Sequence, residues 1–184
     1  MAKGPGARFT SAGRVVNTPG MEVALIGKKI LTFVGAGGVR SPLFLQAAYR
    51  RGFRGEIRFF DPDRSRMEFM RKVGLLLLER EGMRSGEILI SAATSRRQAL
   101  RNTDAVVIAI RPGGLSQRAS DEQTAFSLGL LGQETVGVCG IAMACRTLPA
   151  LLEIVQDAER FGNRPWIFNF TNPVGITTLG LELS

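Results

Sequence analysis

The chain has 184 residues, with 24 Lys plus Arg against 16 Asp plus Glu, two cysteines and no histidine. The missing histidine excludes a Ser/His/Asp triad, a Cys/His dyad, a His-ligated metal and imidazole acid–base chemistry from these residues. A hydrophobic fraction of 45% and a charged fraction of 22% suit one globular domain, and no uninterrupted apolar run approaches the ~20 residues of a membrane span, so no membrane partner is expected.

Residues 1–20 are rich in Gly, Pro, Ser, Thr and Arg with little periodicity, which predicts a flexible basic extension ahead of a domain spanning 21–184. Half of the net charge of +8 falls in residues 1–29, which hold five cations and one acid. With no aromatic platform or recognition motif beside it, that excess predicts no specific nucleic-acid partner. Cys139 and Cys145 form no disulfide framework and no secretory pattern opens the chain, so a cytoplasmic setting is expected.

From Lys28 the chain alternates β-type and helical segments. Strands are predicted over 28–35, 56–61, 87–92, 104–110 and 166–170, with helices over 41–52, 63–82, 95–102, 116–128 and 141–161. In the second helix Met67, Met70, Val73, Leu77 and Leu78 recur at helical spacing, and Gly82 supplies a stop. Ser95 followed by Gln98 reads as a capping box. Alternating strands and helices imply an α/β fold of three layers: a Rossmann-like, doubly wound, mainly parallel sheet with ligands at the carboxyl ends of its strands.

Four of those strand ends carry suggestive residues. After the first come Gly35, Gly37 and Gly38, where small residues let backbone amides approach a pyrophosphate at a helix N-terminus; Arg40 stands where a third glycine is usual. After the second comes Asp61, 26 residues beyond Gly35, placed to accept hydrogen bonds from ribose hydroxyls and to repel a 2′-phosphate, which favours NAD over NADP. The bland alternatives are a simple tight turn and a helix cap. Arg111, ahead of Pro112-Gly113-Gly114, offers a guanidinium for a carboxylate or phosphate, and Asn172, in Asn169-Phe-Thr-Asn-Pro173, offers a carboxamide that both donates and accepts. Spacing alone also allows ordinary loops at both.

Taken in order, the glycine turn, Asp61, Arg111-Pro-Gly-Gly, Arg118 with Asp121-Glu122, Gly132-Gln-Glu-Thr135 with Gly137, Arg146-Thr-Leu-Pro149 and Asn169-Phe-Thr-Asn-Pro173 resemble the amino-terminal half of glycoside hydrolase family 4. The resemblance runs from about Lys29 to the last residue. It implies a lactate/malate dehydrogenase-like fold and NAD held through Gly35, Gly37, Gly38, Asp61 and Arg111, with Arg111 and Asn172 on the sugar side. It also implies glycosidase chemistry outside the two-carboxylate scheme, 6-phospho-glycosides being cleaved by C3 oxidation and elimination with the help of a divalent metal, usually manganese. The family's metal ligands, a Cys and a His, and its Tyr base follow the Thr-Asn-Pro turn, so no catalytic or metal-binding residue is expected here and the catalytic domain is expected to be absent.

Three readings remain at this point. One is the dinucleotide-binding part of a family 4 glycosidase-like protein of carbohydrate metabolism, with a dinucleotide and a sugar as partners. Another is a non-catalytic dinucleotide-binding or homo-oligomerising module. A lactate or malate dehydrogenase is the rival on fold alone, and it needs a histidine that the chain lacks.

Overall fold

Alternation along the strands decides what each residue meets. Leu31 and Phe33 enter one hydrophobic cluster, whereas Val34 enters the other and Thr32 bonds to a helix on that second side. The computed structural model describes residues 9–11, 29–84 and 87–184. Its elements are β1 (Phe9–Ser11), β2 (Lys29–Val34), α1 (Ser41–Arg50), β3 (Gly55–Phe60), α2 (Arg64–Arg80), β4 (Ile88–Ala92) and α3 (Arg96–Leu100). They continue with β5 (Ala105–Ile108), α4 (Gly114–Ser127), α5 (Gly137–Phe161), β6 (Trp166–Asn169) and α6 (Val174–Glu182).

The sheet runs β1-β6-β5-β2-β3-β4, and every described pair is parallel. Counted from β2, this is the 3-2-1-4-5 order of a doubly wound sheet, with β1 in the sixth place. One cluster joins Leu31, Phe33, Ile57 and Phe59 to Leu45 of α1 and Met67 and Leu78 of α2. The other joins Val34, Val106, Ile108 and Ile167 to α3, α5 and α6 through Leu100, Leu151, Ile154 and Leu181. These are the three expected layers.

Several details differ from the sequence reading. Phe9–Ser11, expected within a flexible extension, pair with Ile167–Asn169 as an edge strand. Such pairing uses only backbone groups and leaves no trace in composition; the remainder of 1–20 lies outside the described residues. The buried face of α2 centres on Met67, Gly74 and Leu78, with Val73 and Leu77 half-buried. Gly74 is there because Leu45 packs onto it: a Cβ would lie 2.5 Å from Leu45 Cδ1. Helix α6 follows Pro173, where no helix was expected. Helix α5 is 25 residues long and, by length and composition, apolar enough to cross a membrane, contrary to the expectation drawn from uninterrupted runs. Its buried residues, Leu151, Ile154 and Ala158 among them, pack in the second cluster, which is the pattern of a core helix.

Candidate functional site

The strand order reverses between β2 and β5, and their carboxyl ends open the crevice in which ligands of such sheets bind. Gly35 stands at that point with φ of 90°, and its amide donates to Phe60 O at 2.9 Å. A Cβ there would lie 2.2 Å from Ala109 O, so the end of β5 itself requires a glycine. Gly37 and Gly38 have no positive φ. Gly37 is constrained by neighbours: a Cβ would lie 3.0 Å from Asp61 Oδ2 and 3.4 Å from Arg66 Cγ.

Asp61 organises the turn rather than capping α2. Its Oδ2 accepts from Gly37 N at 2.9 Å and its Oδ1 from Asp63 N at 2.9 Å, while Asp63 is the residue that caps, accepting from Arg66 N at 2.9 Å. Each oxygen of Asp61 keeps lone-pair capacity for a further donor, such as a ribose hydroxyl. Two residues that sequence reasoning missed complete the turn. The Ser41 hydroxyl, fully buried, lies 2.7 Å from Ala36 O and 2.9 Å from Gly38 O, sharing its one proton. Arg66 Nε donates to Gly37 O at 2.8 Å. The amides of Val39 and Arg40, just before α1, have no backbone acceptor among the described residues and sit where the helix macrodipole favours an anion.

The opposite wall is built from the ends of β5 and β6. Asn169, 2% exposed, accepts from Thr171 N at 3.0 Å and donates to Thr177 and Thr178 hydroxyls at 2.9 and 3.1 Å. Thr171 Oγ1 accepts from Ile110 N at 3.2 Å, tying the two strand ends together. This buried network carries the cis Asn172–Pro173 bond and leaves the Asn172 side chain exposed. Sequence reasoning named Asn172 and missed its supports, since buried threonines read as ordinary polar residues.

Arg111 departs most from expectation. It lies two residues past Ala109, which touches Gly35, yet its guanidinium pairs with Glu134 instead of standing free. Glu134 also takes Arg118 at 3.2 Å, and Arg118 Nε donates to Glu122 at 2.7 Å. Beside this chain of charges Arg146 reaches both oxygens of Asp121, and the Cys139 thiol donates to Asp121 O at 3.4 Å. Hydrogen bonding from Arg146 holds the Asp121 carboxyl below its ordinary value of 3.8, against the desolvation that raises it. The structure therefore gathers Gly35, Gly37, Gly38 and Asp61 on one side of the crevice and spends Arg111 on an acidic partner 23 residues away. Among the described residues no group of three or more Cys, Asp or Glu could hold a metal ion.

A glycine turn latched to a strand-end carboxylate in a doubly wound sheet defines a dinucleotide-binding domain. The chain matches the model of family 4 glycosyl hydrolases over residues 29–182, and it belongs to that family. It is 41% identical over 92 residues to a probable 6-phospho-β-glucosidase of Bacillus subtilis, covering 50% of this chain and 21% of that protein. A 6-phospho-α-glucosidase from gut microorganisms, solved with NAD and Mn2+, superposes with a TM-score of 0.77 at 29% identity, over 85% of this chain and 36% of the other. The 6-phospho-β-glucosidase of Thermotoga maritima, solved with NAD and glucose-6-phosphate, gives 0.70 at 26% identity, over 78% and 34%. A malate dehydrogenase from Naegleria fowleri shares the fold, with a TM-score of 0.57 at 13% identity. The chain thus spans about a fifth of the curated relative's length and about a third of the solved glucosidases.

Proposed function

We propose that this chain binds NAD in the crevice between β2 and β5 and serves as the cofactor-binding region of a cytoplasmic 6-phosphoglycosidase. The observation that carries the reading is the latch between Gly37 N and Asp61 Oδ2 at 2.9 Å, because it sets a carboxylate at the adenosine ribose and the glycine turn at the pyrophosphate in one preformed unit. Gly35, Gly37 and Gly38 bring the backbone close to the phosphates, Ser41 holds the turn closed, and Asp61 accepts the ribose hydroxyls. When bound, NAD supplies a hydride acceptor for the sugar. Asn172, exposed on its buried support, orients a hydroxyl or carbonyl on the sugar and nicotinamide side. Arg111 meets cofactor or sugar with a guanidinium whose Nη1 already pairs with Glu134.

The described residues do not fit the metal, so no step here is routed through it. Two unpaired cysteines, Cys139 buried and Cys145 exposed, agree with a reducing compartment. Exposed Leu115, Phe126, Leu128, Leu131 and Ile141, from α4 to the start of α5, support a second reading, self-association through this apolar surface. Calorimetric titration of NAD into the chain tests the first reading: saturable binding is expected, weakened at least tenfold by Asp61→Ala. Absence of binding at millimolar NAD by a folded sample would overturn it. Light scattering on that sample reads a dimer or larger if the second holds, and a strict monomer removes it.

A further inference from the structure

Arg66 does more than brace the turn. Its stem and the Asp61 carboxylate lie together beside Gly37, where a Cβ would meet both, and its Nε is committed to Gly37 O. Yet Arg66 forms no ion pair with Asp61 or Asp63, and no protein acceptor among the described residues takes its outer nitrogens, Nη1 and Nη2. The residue is exposed, so those four N–H groups face solvent. Its neighbour Arg64 is already spent, donating to Thr94 O at 2.7 Å. An anchored guanidinium with a free outer edge, one glycine away from the ribose-facing carboxylate, is the arrangement that receives a 2′-phosphate.

We propose that Arg66 forms a 2′-phosphate subsite at the adenosine end of the crevice, so that Asp61 and Arg66 together set the choice between a 2′-hydroxyl and a 2′-phosphorylated dinucleotide. The inference rests on the dinucleotide reading above. Asp61 accepts from a ribose diol and repels a phosphate dianion, while Arg66 attracts that dianion far more strongly than the uncharged diol. Removal of the Asp61 charge therefore unmasks a site that already exists, with no new cation needed.

The test compares calorimetric affinities for NAD, NADP and 2′,5′-ADP in the full chain, Asp61→Asn, and Asp61→Asn combined with Arg66→Met, with circular dichroism confirming the fold of each. The wild-type chain is expected to prefer NAD. Asp61→Asn is expected to shift the NADP-to-NAD affinity ratio at least tenfold toward NADP and to bind 2′,5′-ADP. Adding Arg66→Met is expected to return that ratio at least tenfold and to abolish 2′,5′-ADP binding. A merely structural role for Arg66 predicts equal losses for NAD and NADP, leaving the ratio of Asp61→Asn in place, and that result overturns the subsite. An unchanged ratio in Asp61→Asn also overturns it while leaving NAD binding standing. If the wild-type chain binds no dinucleotide, the underlying reading falls and the subsite with it.

Discussion

The two walls of the crevice are made of different materials. On the wall proposed for the nucleotide the contacts are backbone amides and carbonyls, one buried hydroxyl, one carboxylate latched to amides and the Arg66 bond to Gly37 O. On the opposite wall, beyond the buried Asn169 and Thr171, residues 111–146 are joined by Arg–carboxylate pairs on half-exposed helices. Leu115, Phe126 and Leu131 stand exposed among them. A wall of short-range backbone bonds keeps its shape without a ligand. Exposed ion pairs contribute little each, so a wall that depends on them has other arrangements at modest cost. This difference is why the cofactor side reads as preformed, and why Arg111 can be both tied to Glu134 and a candidate for ligand binding.

The largest expected effect tests the rigid wall. Gly35→Ala forces a side chain onto a left-handed backbone with Ala109 O 2.2 Å from the new Cβ, and neither strand end has room to yield. It should cost about 3 kcal/mol or more in denaturant unfolding and abolish NAD binding. A loss under about 1 kcal/mol would mean that the ends of β2 and β5 are not the fixed frame described here.

That same frame explains what the sequence reveals and what it conceals. Strand positions are legible because Leu31, Phe33, Ile57 and Phe59 alternate with residues that meet the other face. Gly35 and Asp61 are legible because each stands directly at a strand end, although the approach of Ala109 that requires Gly35 is not. Ser41 is not, since its value lies in two carbonyls reached only once the turn is folded. Helix α6 escapes notice because Thr177 and Thr178 are buried to bond Asn169, and a periodicity built on apolar residues skips them. The pairing of Arg111 with Glu134 is a long-range event that depends on how α4 and α5 pack, which spacing does not encode. Gly74 passes for a gap in the apolar face of α2, although it is the point at which Leu45 approaches.

An intermediate effect is expected from Ser41→Ala. Its hydroxyl is fully buried against Ala36 O and Gly38 O, and its loss leaves those carbonyls without that donor; about 1–2 kcal/mol of stability should go. NAD affinity should fall along with it, because the turn is no longer held at the start of α1. If stability drops while affinity is unchanged, the hydroxyl is a core contact that does not shape the turn.

The smallest effect probes the ion-paired wall by acid. Asp121 has its carboxyl held below the ordinary 3.8 by Arg146, so its pair contributes fully above that value and is lost as pH falls through the lower folded value. Between pH 7 and 5 nothing should change, and below about pH 4 the contact between α4 and α5 should weaken by about 1 kcal/mol. Hydrogen exchange of the α4 amides, measured against those of β2, reads this directly, because β2 is held by sheet bonds and α4 meets α5 through the Arg146–Asp121 pair. Faster exchange in α4 relative to β2 at pH 3.5 than at pH 6 is the expected result, and Asp121→Asn should reproduce it at pH 6. Equal protection at both values would place the two walls on the same footing, and the crevice would then close around its ligand as one rigid body.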